Sequence, residues 1–233
     1  MERSQASPVQ KLRIRFAKRG RLRFTSHRDF QRAFERALRR AGVPVAYSQG
    51  FTPHPKVSYA GAAPMGAASE AEYLEIAVAE KCDPAAVAAA LDAALPPGLD
   101  IVDVVAADDG SLADRLQASE WSIELPDAPV EELAAAVGAF MAEPVVEVQR
   151  MTKNGVRTLD ARGAVVRMAV DGTGPTIRVV VRHQTPTVRP DDVLTGLRRL
   201  GGLRAARQVA TRLAQGPLDE TTGSVRDPFN SLR

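Results

Sequence analysis

The chain has one cysteine, Cys82, among its 233 residues. No internal disulfide can form, and no Cys/His cluster is available for a structural zinc. The three histidines, His27, His54 and His183, stand far apart, with none of the spacings that make a metal site. Neither a metal nor a cofactor is expected from these residues. Aromatics are scarce at 5%, fewer than the stacking surface of a typical RNA-recognition sheet needs. No G-x-S-x-G elbow, P-loop or dinucleotide fingerprint occurs. No apolar run approaches the ~20 residues of a membrane span, and Met1–Gln10 is polar, without the apolar centre of a signal peptide. These absences point to a cytoplasmic protein with no membrane partner. They leave no complete catalytic constellation, which leans against an enzyme.

What is present is charge, sorted by sign. Residues 1–60 hold 14 Lys/Arg and 3 Asp/Glu, a net of +11. Residues 61–147 hold 2 and 18, a net of −16, and residues 148–233 hold 15 and 7, a net of +8. Arginine outnumbers lysine 26 to 5, a bias that codon usage can produce. Codon usage does not segregate charge along a chain, so the blocks carry information about partners.

Periodicity gives the elements. Leu12, Ile14 and Phe16 alternate with Lys11, Arg13 and Arg15, a half-buried strand with one basic face. Ser26 and Asp29 form a capping box opening a helix that ends at Gly42 before Pro44. Its buried stripe is Phe30, Phe34, Leu38 and Ala41. Extended pieces at 45–47 and 56–60 flank an irregular loop at 48–55. Residues 72–78 alternate again, with Leu74, Ile76 and Val78 inward and Tyr73 and Glu75 outward. Asp83 and Pro84 open a helix carrying Val87, Leu91 and Leu95, and a strand follows at 99–105.

After a charged stretch the pattern resumes: a strand at 120–125, a helix at 129–141 and a strand at 145–151 ending in a Lys153-Asn154-Gly155 turn. A hairpin follows at 165–170 and 176–182 around Asp171-Gly172-Thr173-Gly174, then a helix at 190–200 and a strand at 204–213. The expected fold is α+β, two tandem ferredoxin-like (βαββαβ) modules. The boundaries are 10–107 for the module with the basic face, 108–119 for a linker, 120–214 for the second module and 215–233 for a disordered tail.

Three surfaces are candidates for binding nucleic acid. The first is the basic strand, where Arg13 and Arg15 should lie beside Tyr73 and Glu75, suiting phosphate contact and base stacking. An ion pair to Glu75 is the structural alternative. The second is the helix with Arg28, Arg32, Arg36, Arg39 and Arg40, more one-sided than solubility requires. His27 at its start could meet a phosphate near the positive end of the dipole. The third is the loop from Ser48 to Lys56, stiffened by Pro53 and Pro55, in which Gln49, His54 and Lys56 could hydrogen-bond a nucleotide. In the alternative reading of this loop, Phe51 plugs the core. Cys82 reads as a small buried residue.

The run Phe24-Thr25-Ser26-His27-Arg28-Asp29, then residues 37–58 through Gln49-Gly50-Phe51-Thr52-Pro53-His54-Pro55-Lys56, then Pro64-Met65-Gly66, Ser69-Glu70 and Glu75-Ile76, resembles the bacterial radical SAM-linked protein family. That is an uncharacterised domain also found behind cobalamin-binding-type radical SAM enzymes. Lys153, Asp160 and Arg162 resemble its later Lys…Asp-x-Arg signature. The stand-alone actinobacterial form is similar to proteins encoded near ribonuclease E/G and ribosomal-protein genes. The resemblance implies an accessory role to a radical SAM enzyme or to RNA-processing machinery. With one cysteine and no CxxxCxxC motif, the chain is not itself such an enzyme. The expected function is an RNA-binding accessory protein that presents RNA or a ribosomal substrate to a partner. Two alternatives stand beside it: a metal-independent ribonuclease or RNA-modifying enzyme using His27, His54 and Lys56, and a protein-interaction module docking through the acidic middle.

Overall fold

The computed structural model describes residues 8–153, 155–172 and 174–230. The chain mixes α and β structure and falls into two compact units, Met1–Arg115 with Pro228–Arg233, and Leu116–Asp227. Among the described residues no helix is long and apolar enough to cross a membrane.

The first unit runs β1 (Gln10–Lys18), a 3-10 turn (Gly20–Phe24), α1 (His27–Arg40), β2 (Val57–Ala60), β3 (Ala68–Val78), α2 (Pro84–Ala94), β4 (Ile101–Ala106) and the single turn α3 (Leu112–Arg115). β1 pairs antiparallel with β3 and β4, and β2 pairs with β3, giving the order β4-β1-β3-β2. The alternation of β1 sends Leu12, Ile14 and Phe16 into a core shared with Phe30, Phe34, Leu38, Leu74, Ile76 and Leu91. Each such side chain contributes roughly 1.5–3 kcal/mol by leaving water. Ser26 caps α1, its hydroxyl accepting from the Asp29 N–H at 3.1 Å. Asp29 reaches back to the Ser26 hydroxyl rather than to its backbone N–H. Gly42, at φ +65°, closes the helix in the left-handed conformation. Asp83 accepts from the Ala85 N–H at 3.1 Å and starts α2.

The second unit runs β5 (Ala118–Glu124), α4 (Val130–Ala142), β6 (Glu147–Thr152), β7 (Gly155–Asp160), α5 (Ala161–Ala164), β8 (Val165–Asp171), β9 (Thr176–Arg182), α6 (Pro190–Gly201), β10 (Val209–Gly216), β11 (Leu218–Asp219) and β12 (Ser224–Val225). Its sheet order is β10-β5-β9-β8, antiparallel throughout. Without the β6–β7 hairpin, α5 and the β11–β12 pair, the order of elements is again β-α-β-β-α-β. The turns expected at Asn154 and Thr173 lie partly outside the described residues.

The division between the units, at Arg115 and Leu116, falls inside the 108–119 stretch expected as a linker, but that stretch is not open: Asp108 and Gly110 are held by Arg13, and Leu112 and Leu116 are buried. The tail after 215 is not disordered through residue 230. It completes β10, forms β11 and β12, and buries Phe229, whose ring meets Tyr73 edge-on at 5.4 Å. A polar composition hid one aromatic anchor.

Candidate nucleic-acid interface

Arg13 is not on an open face. It is 0% exposed, and its guanidinium donates to Glu75 Oε2 at 3.2 Å, to Asp108 Oδ1 at 2.8 Å, and to the Asp108 and Gly110 carbonyls. A buried charge survives only with such partners, so Arg13 is a strut, and its assignment as a nucleic-acid contact is withdrawn. Tyr73, its expected stacking neighbour, is 3% exposed. Partial burial pushes the Asp108 carboxyl up, but hydrogen bonds from Arg115 and Arg13 outweigh this and hold it below the usual carboxylate range. Lys11 pairs with Glu75 at 3.1 Å, and Arg19 pairs with Glu70 and Asp100. Much of the positive charge around β1 is thus balanced by acids from the negative block of the sequence. Arg15 is half-buried, with Nε donating to the Glu70 carbonyl at 2.8 Å.

α1 is different. Arg28, Arg32, Arg36, Arg39 and Arg40 are all exposed, and none makes an ion pair among the described residues. Arg28, Arg32, Arg36 and Arg40 follow at four-residue steps, a row with about 6 Å between members along the axis. Each like-charged neighbour at that spacing costs roughly 0.2–0.5 kcal/mol. The row keeps this repulsion until something anionic relieves it.

The 48–56 loop has a closed base and an open tip. The Ser48 N–H donates to the His54 carbonyl at 2.8 Å, and the His54 N–H to Ser48 Oγ at 3.0 Å. Tyr47 and Pro55 form a bridge below them. Gln49, Gly50, Phe51, Thr52 and Pro53 project beyond, with Gly50 at φ +127°. Phe51 is fully exposed, so it does not plug the core. His54 and Lys56 line a shallow cavity with Lys11 and Glu75.

A second cavity, of about 350 Å³, opens at the other end of β2, where α1 begins. Phe16 and Phe30 are stacked there at 4.4 Å, and Tyr59 meets both Phe30 and His27 edge-on at 6.0 and 4.9 Å. Gln31 Nε2 and His27 Nε2 lie within hydrogen-bond distance at 3.0 Å. Burial pushes the Tyr59 phenol up, and nearby Glu35 adds to this, so it stays protonated. Lys18 and Glu72, both buried, complete the wall. Sequence reasoning missed Lys18, Tyr59 and Glu72. The signal was there: Glu72 shares the inward parity of Leu74 and Ile76, and Lys18 that of Ile14 and Phe16. A charge in an apolar phase marks a lined cavity or a buried pair.

His27 therefore sits in one cavity and His54 with Lys56 in another, with no lining residue in common. The structure does not assemble these three into one centre. His183 is internal: Nδ1 donates to the Leu116 carbonyl at 2.6 Å, and Nε2 accepts from the buried Ser119 hydroxyl at 2.7 Å. Burial holds the His183 imidazole below its usual range. Asp160, from the second signature, caps α5 and accepts from the Arg162 and Val146 N–H groups at 3.0 Å each, a structural use.

No curated protein matches the chain. Several solved structures resemble it, two of them as follows, both at low identity. One is a crystal structure of an unknown protein from Galdieria sulphuraria, at 16% identity, covering 87% of this chain and 98% of that one, with a TM-score of 0.27. The other is DyPB from Rhodococcus jostii RHA1, at 14% identity, covering 96% and 97%, with a TM-score of 0.20. At those scores neither bears on function. Residues 11–190 match a family described as an uncharacterised protein conserved in bacteria, and the chain belongs to that family, DUF2344.

Proposed function

We propose that this chain is an RNA-binding accessory protein with α1 as its polyanion contact, the two units being tandem ferredoxin-like modules. The observation that carries the reading is the row Arg28, Arg32, Arg36 and Arg40, exposed and without an ion pair among the described residues, while Lys11, Arg13 and Arg19 around β1 are paired with acids. Arg15, His27, Gln49, His54 and Lys56 remain secondary contacts. Presentation of RNA to a radical SAM or RNA-processing partner rests on the family resemblance.

Four phosphates held by the row would give a slope of about −2.8 in log affinity against log salt for a single strand. Affinity would then fall about 50-fold between 50 and 200 mM salt. The test is binding of total cellular RNA at 50 mM salt by the wild type and by the Arg28→Glu, Arg32→Glu, Arg36→Glu triple variant. Wild type binds and the triple variant does not, while circular dichroism of the two stays the same. No wild-type binding at 50 mM salt removes the proposal.

A further inference from the structure

We infer that the loop from Ser48 to Lys56 holds one nucleotide of single-stranded RNA in two parts, its base stacked on Phe51 and its phosphate in the cavity at the loop base. This rests on the RNA-binding reading and adds where a base is met. Phe51 is fully exposed, so folding gains nothing from its ring, and only a partner can take that surface out of water. The loop beneath the ring is ordered. The Ser48 and His54 hydrogen bonds and the Tyr47–Pro55 bridge close its base, and Pro53 and Pro55 fix backbone angles within it. A partner therefore meets a ring already presented, with little of the loop left to order on binding.

The surroundings of the ring select the partner. Residues 48–58 contain no Asp or Glu. The cavity, about 360 Å³, is lined by Lys11, Ser48, His54, Lys56, Ser58 and Glu75 among others. Glu75 is already held by Lys11 and Arg13, so its charge is balanced within the protein. Lys56 and His54 are exposed, and neither side chain makes an ion pair or a hydrogen bond among the described residues. An ammonium, an imidazole N–H and the Ser58 hydroxyl are donors that suit phosphate oxygens. An apolar pocket on a protein partner would match Phe51 and leave those donors unused. A free phosphate would match the donors and leave the ring in water. A nucleotide answers both, because every base has a face that stacks on an aromatic ring. Within a duplex those faces are covered, so the strand must be single or looped. The arginine row ends at Arg40 and the loop begins at Ser48, both in the first unit; the loop adds a contact of a second kind to a surface of phosphate contacts.

Stacking is independent of salt and phosphate contact is not, so the two halves separate in one titration. The experiment measures affinity of the full chain against salt for a short single-stranded RNA and for the same sugar-phosphate chain without bases. Phe51→Leu, which keeps an apolar side chain at an exposed position, should weaken the base-bearing strand by about 5- to 150-fold at unchanged salt slope and leave the abasic strand as it was. Phe51→Trp should keep wild-type affinity, and the fluorescence it adds to that of Trp121 should be quenched by the base-bearing strand alone. Lys56→Gln should reduce the salt slope by about 0.7 with both strands. Wild-type affinity in Phe51→Leu, or no quench in Phe51→Trp, overturns the stacked base and makes Phe51 a contact for a protein instead; an unchanged slope in Lys56→Gln overturns the phosphate site. In each of these cases RNA binding through α1 stands. Absence of wild-type binding to either strand brings down the RNA reading and the loop site with it.

Discussion

Replacing Arg13 by Met separates a strut from a phosphate contact, because the two roles predict opposite results. Met keeps an unbranched stem but removes a guanidinium that is 0% exposed and meets two carboxylates and two carbonyls. Breaking a buried ion pair costs about 3–5 kcal/mol. Here the stranded partners are not helpless: Glu75 keeps Lys11 and Asp108 keeps Arg115. Their side chains are 16% and 38% exposed, so water reaches both. The lower end, about 3 kcal/mol, is the reasoned value. With a urea dependence of about 2 kcal/mol per molar, the midpoint should fall by about 1.5 M. The assay is urea unfolding by far-UV circular dichroism, since the single tryptophan, Trp121, belongs to the second unit and would miss the event. RNA affinity without urea, and its salt slope, should not change. A midpoint within about 0.3 M of wild type, together with a salt slope reduced by about 0.7, would refute the strut and restore Arg13 as a phosphate contact.

Other outcomes follow from the packing. In Gly201→Ala the new Cβ would lie 2.4 Å from Ala136 Cβ and 2.5 Å from its Cα. α6 must therefore shift from α4, at about 1–3 kcal/mol; a loss below 0.5 kcal/mol in thermal unfolding would contradict that helix contact. The triple variant Gln49→Ala, His54→Ala, Lys56→Ala should change stability by only about 0.5 kcal/mol, because the loop base is closed by main-chain groups and Ser48 Oγ. Unchanged RNA affinity in the folded triple variant would remove the loop from the interface. Chymotrypsin under limiting conditions should first cut internally at Phe51, on the exposed tip, and a first cut within residues 108–119 would show the Arg13 clamp to be weak.

The regular elements of the first unit were legible because their signals are local. The inward phase of Leu12, Ile14 and Phe16, the Ser26 cap and the Gly42 stop each act within a few residues, and each of these is as read. The β6–β7 hairpin and α5 were harder. Of Gly155–Asp160 only Leu159 is buried, so the second strand offers no period-2 pattern, and α5 is a single turn without an apolar stripe. The interface was only partly legible. Parity placed Arg13 away from the helices, but it cannot say that the segment around Asp108, some 95 residues later, returns to cover it. The same limit hid Phe229 and made Phe51 look like a core residue. A hydrophobic side chain in a loop carries no mark of which way the loop turns. Lys18 and Glu72 were visible as charges in inward phase, but their place in one cavity wall depends on β1 and β3 pairing, with Phe16 opposite Glu72 and Lys18 opposite Ser69.

The placement of Phe229 has a consequence for how the protein is made. Tyr73 leaves the ribosome 156 residues before the phenylalanine that covers it. At about 5–20 residues per second, the first unit waits roughly 8–30 s with that ring uncovered. The second unit, synthesised wholly within this interval, can fold before the first is finished. The nascent chain therefore leaves the Tyr73 ring without its Phe229 cover until residue 229 is made, and it is in this window, rather than in the folded protein, that the first unit is most open to chaperones and to mispairing.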